Sequence, residues 1–115
     1  MDSYVLNIGL GVGNLLCGCV FIALARPLVA GRISRNDYYG MRFKKALGSE
    51  ENWIEINKVG GLQMRRWGKV VLVISITCFA FPPLPATGFW IWFFGLAPAL
   101  ILIACWQTYN FSKHL

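Results

Sequence analysis

Residues 4–25 read YVLNIGLGVGNLLCGCVFIALA, and residues 70–106 read VVLVISITCFAFPPLPATGFWIWFFGLAPALILIACW. Neither stretch holds Asp, Glu, Lys or Arg. At about 1.5 Å of rise per residue, the first is long enough to cross the roughly 30 Å hydrocarbon layer of a bilayer as a single helix. The second has room for two crossings, with Pro82, Pro83, Pro85 and Gly88 in its interior. Proline lacks an amide hydrogen and disfavours helix in the residue before it, so this cluster predicts a turn, with one span ending near Phe81 and another beginning near Phe89. Residues 70–81 alone would cover only about 18 Å. The second span is therefore expected to begin near Met64, with the stems of Arg65, Arg66 and Lys69 carrying their charges back to the headgroups. The expectation is an all-α integral membrane protein, one domain with three transmembrane helices at about 4–25, 64–81 and 89–107 and a loop at 26–63.

Composition agrees. The 115 residues are 57% hydrophobic and 15% aromatic, and a domain this small buries too little of its chain to hide such a load from water. Cys17, Cys19, Cys78 and Cys105 each lie inside an apolar run, where cysteine serves as a small hydrophobe. Their spacing carries no metal signature, and the single histidine is His114. No metal or other cofactor is expected. The first span is expected to be retained rather than cleaved as a targeting peptide, because Asp2 precedes it and Arg26 follows it.

Ten of the eleven Lys and Arg residues fall between Arg26 and Lys69, and the Pro-rich turn has none. The positive-inside rule then places the loop and the C-terminus in the cytoplasm and the N-terminus outside. Trp67, Trp90, Trp92 and Trp106 sit at the ends of the predicted spans, as interface anchors do. In span one, Gly9 and Gly13 form a G-x-x-x-G face on which another helix can approach closely. That partner can be another span or another copy. The same glycines do not make a nucleotide loop, since no strand precedes them.

Within the loop, Ser49 is placed as a helix N-cap with Glu50 and Glu51 in the first turn. Trp53, Ile56, Gly60, Met64 and Trp67 then recur at three- and four-residue steps, predicting an amphipathic helix that lies on the inner membrane face or leads into span two. Asn36, Gly40, Arg42, Leu47, Ser49, Glu51, Trp53, Asn57 and Gly61 stand in the order N-x-x-x-G-x-R, then Leu and Ser, then E-x-W-x-x-x-N-K-x-x-G. This order resembles the signature of the SdpI family of small bacterial multi-span membrane proteins. One departure is Phe43-Lys44, where the family commonly has Thr-Pro. The resemblance implies residence in the bacterial plasma membrane and an immunity or signalling role, since its best-known member protects against a secreted toxic peptide and signals by holding a cytoplasmic repressor.

By residue chemistry, Arg42 can pair a lipid phosphate, a peptide carboxylate, or Glu51 and Glu55 of its own loop. Asn36 and Asn57 can each donate and accept, and Gly40 can adopt a positive φ. The same residues can equally serve to fold the loop onto the headgroups, with Trp53 as anchor. Catalysis is not expected: the carboxylates are few, none lies in a span, and no positioned acid, base or nucleophile is visible. Nucleic acid is not expected either, because acids interrupt the basic loop and no recognition fold fits within it. Two readings remain, a protein that binds a peptide or protein partner through its central loop, and an accessory subunit of a larger membrane complex; lipid is a partner in both.

Overall fold

The computed structural model describes residues 3–80 and 89–115, and every regular element in them is helical. In chain order these are α1 (Ser3–Val29), α2 (Lys44–Leu47), α3 (Glu50–Ala80), α4 (Phe89–Gly95), a 3-10 turn (Ala97–Leu100) and α5 (Ile101–Ser112). The Pro-rich turn at 81–88 lies outside the described residues. Among the described residues, Val5–Val29 is the one helix long and apolar enough to cross a membrane.

Helix α1 runs past the expected end at 25, through Pro27, before it stops. Its stop is a Schellman motif. Gly31 takes φ +70°, its N–H donates to Leu28 O at 3.1 Å, and Arg32 N–H donates to Pro27 O at 3.0 Å. These bonds satisfy carbonyls that the last turn leaves open. At the start of α3, Ser49 Oγ accepts the Asn52 N–H at 3.0 Å, with Glu50 and Glu51 in the first turn. From there α3 runs unbroken for 31 residues, about 46 Å at the helical rise. Of the two arrangements expected for the amphipathic segment, it leads directly into the second apolar stretch, as the beginning of α3 itself. The connection between α1 and α3 shrinks from the expected 26–63 to residues 30–49.

The seam between α1 and α3 is built from small and polar residues. Asn7, Gly11, Asn14, Gly18, Ala25 and Leu28 are buried along α1, while Val5, Ile8, Val12, Leu16 and Val20 point outward. A Cβ on Gly18 would come within 2.9 Å of Gly68 O, and one on Gly68 within 3.2 Å of Gly18 O, so the two backbones cross almost in contact. Ser75 Oγ donates to Gly11 O at 2.9 Å across the same seam. At Gly9 and Gly13, the expected packing face, an added Cβ meets nothing within 4 Å among the described residues. The glycines that carry the α1–α3 contact are Gly11, Gly18, Gly61 and Gly68.

The third apolar segment is not one helix. Pro98 has no N–H to offer Phe94 O, and the chain passes through the 3-10 turn before α5. Asn14 fills the gap from α1: its Nδ2 donates to Phe94 O at 3.0 Å and to Leu10 O at 3.0 Å. Trp67, expected as an interface anchor, ties α3 to α5, donating from Nε1 to Gln107 Oε1 at 3.0 Å. Trp92 and Trp106 are exposed; the side chain of Trp90 lies outside the described residues.

Candidate functional site

The residues singled out in the loop converge on the first turns of α3. Asn36 makes a closed turn: its Oδ1 accepts the N–H groups of Tyr38 at 2.8 Å and Tyr39 at 2.7 Å, and its Nδ2 donates to Ser34 O at 2.8 Å and Tyr39 O at 3.0 Å. All four of its hydrogen-bonding capacities face its own loop. Asn57 does the same from the helix. Its Oδ1 accepts Met41 N–H at 2.5 Å, and its Nδ2 donates to Met41 O at 3.3 Å and Trp53 O at 3.0 Å.

Gly40 sits between these two asparagines with φ +114°, a conformation that side chains resist. A Cβ there would stand 2.9 Å from both Asn57 Oδ1 and Trp53 Cζ2. Trp53 is completely buried, packs with Ala46 and Ile56 against Phe43, Ile54 and Phe111, and donates from Nε1 to Ile33 O at 3.0 Å. Gly61, one turn beyond Asn57, lets α1 approach, since its Cβ would lie 3.0 Å from Ala25 O. The tryptophan is a buried pillar under the loop rather than a membrane anchor.

Arg42 does not reach Glu51 or Glu55. Its guanidinium donates to Asn36 O and lies 3.5 Å from Asp37 Oδ1, with both side chains open to solvent. Tyr39, which the sequence reading passed over, reaches back to α1, where its hydroxyl donates to Leu24 O. Burial pushes its phenol above the ordinary value, so the donor stays protonated. Arg35 was also missed. Its backbone N–H donates to Glu50 Oε1 at 3.1 Å and its Nη1 to Leu47 O at 3.1 Å, fastening the loop to the start of α3. No local spacing marks Arg35 and Glu50 as a pair, because they lie fifteen residues apart.

What remains available after this internal bonding is narrow. At the tip of the Asn36 turn, Tyr38 is 95% exposed, next to an Asp37 carboxylate that is itself 83% exposed. Chemically the clamp holds no nucleophile, paired acid and base, or cluster of metal ligands among the described residues.

A profile of the SdpI/YfhL protein family matches residues 32–107, which takes in the clamp, α3 and the segment after it. The chain belongs to that family. No curated protein and no solved structure matches it. Within the SdpI/YfhL match, the pattern positions Asn36, Gly40, Trp53 and Asn57 are the parts of one interlocked clamp. Phe43, where the sequence departs from the common family pattern, stacks edge-on against Tyr109 with ring centroids 5.5 Å apart.

Proposed function

We propose that this SdpI-type protein crosses the bacterial plasma membrane three times, with its N-terminus outside and both the loop and C-terminus in the cytoplasm, and that it works without catalysis. In this reading the Asn36–Gly40–Asn57–Trp53 clamp is a frame, and its tip receives a peptide or protein partner in an immunity or signalling role. The carrying observation is Tyr38: a large aromatic side chain, 95% exposed, on a turn whose backbone is locked by Asn36. Aromatic side chains on rigid loops are what binding hot spots are made of, because they contribute apolar contact area at low entropic cost. The pairing of the exposed Asp37 and Glu50 with arginines supports a role without catalysis.

The test compares Tyr38→Ala with Asn57→Ala in cells challenged with secreted membrane-active peptides, measuring membrane accumulation in parallel. Tyr38→Ala is expected to accumulate like the wild type yet lose protection, or lose a co-purifying partner. Asn57→Ala is expected to lose accumulation itself. Full protection and unchanged partners in the Tyr38→Ala variant would count against the loop tip as the binding surface.

The accessory-subunit reading is favoured by the Gly9–Gly13 face, where an added Cβ at either glycine meets nothing within 4 Å among the described residues. Purification in gentle detergent distinguishes the two: stoichiometric membrane partners lost in Gly9→Leu support a subunit, and partners lost in Tyr38→Ala support the loop.

A further inference from the structure

A cleft of about 440 Å³ lies between the loop and the end of α5, and Lys44, Lys45 and Lys113 all line it. No carboxylate does. Among the described residues the ion pairs are Arg35 with Glu50 and Arg42 with Asp37, so the three lysines that line this cleft have no ion-pair partner there. Lys113 Nζ stands 4.9 Å from the Tyr109 ring centre, a cation–π contact that draws it over the cleft wall. Three like charges around one void repel each other until an anion enters.

The rest of the lining says what kind of anion. Phe43 and Tyr109 form an apolar wall, and Asn52, in the first turn of α3, adds a neutral polar group. A soluble anion has no use for that wall. An amphiphile does, with its charge at the lysines and its hydrocarbon along the rings. The cleft also sits where the charge-free run of α5 gives way to Lys113, which is the headgroup level if the chain spans the membrane as proposed above. Lysine suits this task, being a point charge on a flexible stem that meets a phosphate from any direction. We infer that this cleft binds the phosphate headgroup of an anionic glycerophospholipid of the inner leaflet, with Lys44, Lys45 and Lys113 around the phosphate and an acyl chain against Phe43 and Tyr109. Basic pockets between helices on the cytoplasmic side are a recurrent form of such recognition.

Native mass spectrometry of the full chain in detergent tests the site, with phosphatidylglycerol and phosphatidylcholine of matched acyl chains added separately. Wild type is expected to retain phosphatidylglycerol preferentially. The triple variant Lys44→Ala, Lys45→Ala, Lys113→Ala is expected to lose roughly ten- to a hundredfold in that preference, the scale of three basic groups near an anionic surface. The variant Arg65→Ala, Arg66→Ala, Lys69→Ala removes as much charge elsewhere and should keep the preference. Equal loss in both variants would reduce the effect to a diffuse field and overturn the site; so would displacement of the lipid by inorganic phosphate, which would make the ligand a soluble anion.

A second measurement uses only wild-type protein in nanodiscs. Phosphatidylglycerol should slow amine-reactive labelling of Lys44, Lys45 and Lys113 relative to Lys58, and phosphatidylcholine should not. Equal labelling in the two lipids overturns the site. The membrane reading fails separately, by a chain that stays monodisperse without any amphiphile.

Discussion

Asn57 offers its carboxamide to both backbone groups of Met41, as a neighbouring strand would, and the pairing is buried. Truncation to alanine leaves an N–H and a C=O without partners away from water. Each such orphan costs about 1–3 kcal/mol, so Asn57→Ala is expected to lower the unfolding midpoint clearly in detergent, followed by far-UV circular dichroism. Gly40→Ala should be at least as damaging, because the new methyl meets Asn57 Oδ1 and Trp53 Cζ2 at 2.9 Å while the backbone is held at φ +114°. Arg42→Ala is the contrasting case. Its ion pair with Asp37 is solvent-exposed, and exposed pairs contribute at most about 1 kcal/mol, so the same melt should barely move. The bonding capacity of Asn36 and Asn57 and the freedom of Gly40 were legible from residue type alone. Their partners were not, because Met41 takes part through its backbone, which any residue shares.

Between helices, the telling feature is which glycines meet. At about 100° per residue, Gly9 and Gly11 lie on opposite sides of α1, whereas Gly11 and Gly18 share a side with Asn7 and Asn14. The G-x-x-x-G spacing picks out Gly9 with Gly13, yet the buried seam follows Gly11 and Gly18. The polar residues on the same side were the overlooked phase marker, since an asparagine in an apolar helix needs a partner more than a glycine does. Gly18→Leu should therefore disrupt the α1–α3 crossing, seen as loss of monodisperse protein, while Gly9→Leu should leave the single chain folded. Asn14 makes the complementary prediction at the Pro98 break. Because Pro98 has no N–H to donate to Phe94 O, the Asn14 bond should matter most when proline is present. In a double-mutant cycle, Asn14→Ala should cost about 1 kcal/mol in the native background and less in Pro98→Ala. Additive losses would mean that Asn14 stabilises the break by some other contact.

The molecule as a whole is arranged with its polarity inverted relative to a water-soluble bundle. Asparagine, glycine and serine fill the α1–α3 seam, while Val5, Ile8, Val12, Leu16, Val73, Ile76 and Trp106 face outward. Such a surface is costly in water and neutral in lipid, where close backbone approach and hydrogen bonds rather than apolar burial hold helices together. Its long axis of 52 Å exceeds a hydrocarbon layer of roughly 30 Å, so on the three-span arrangement proposed above part of the molecule stands in the headgroups or beyond. The apolar runs made the membrane-seeking character legible in advance. The continuity of α3 was harder to read, because Arg65, Arg66 and Lys69 interrupt its hydropathy although nothing interrupts its backbone. Those three cations, with the basic loop and Lys113, decide which end faces inward if α3 and the segment after it both cross. On that arrangement a green fluorescent protein fused after Leu115 should fluoresce, and alkaline phosphatase at the same place should be inactive, because both report a cytoplasmic end. Alkaline phosphatase inserted after Gly31 should be inactive as well, since the loop shares that side. An active phosphatase after Leu115 with an inactive one after Gly31 would leave an even number of crossings in residues 1–115 unless the N-terminus were also inside, and the three-span arrangement would have to be abandoned.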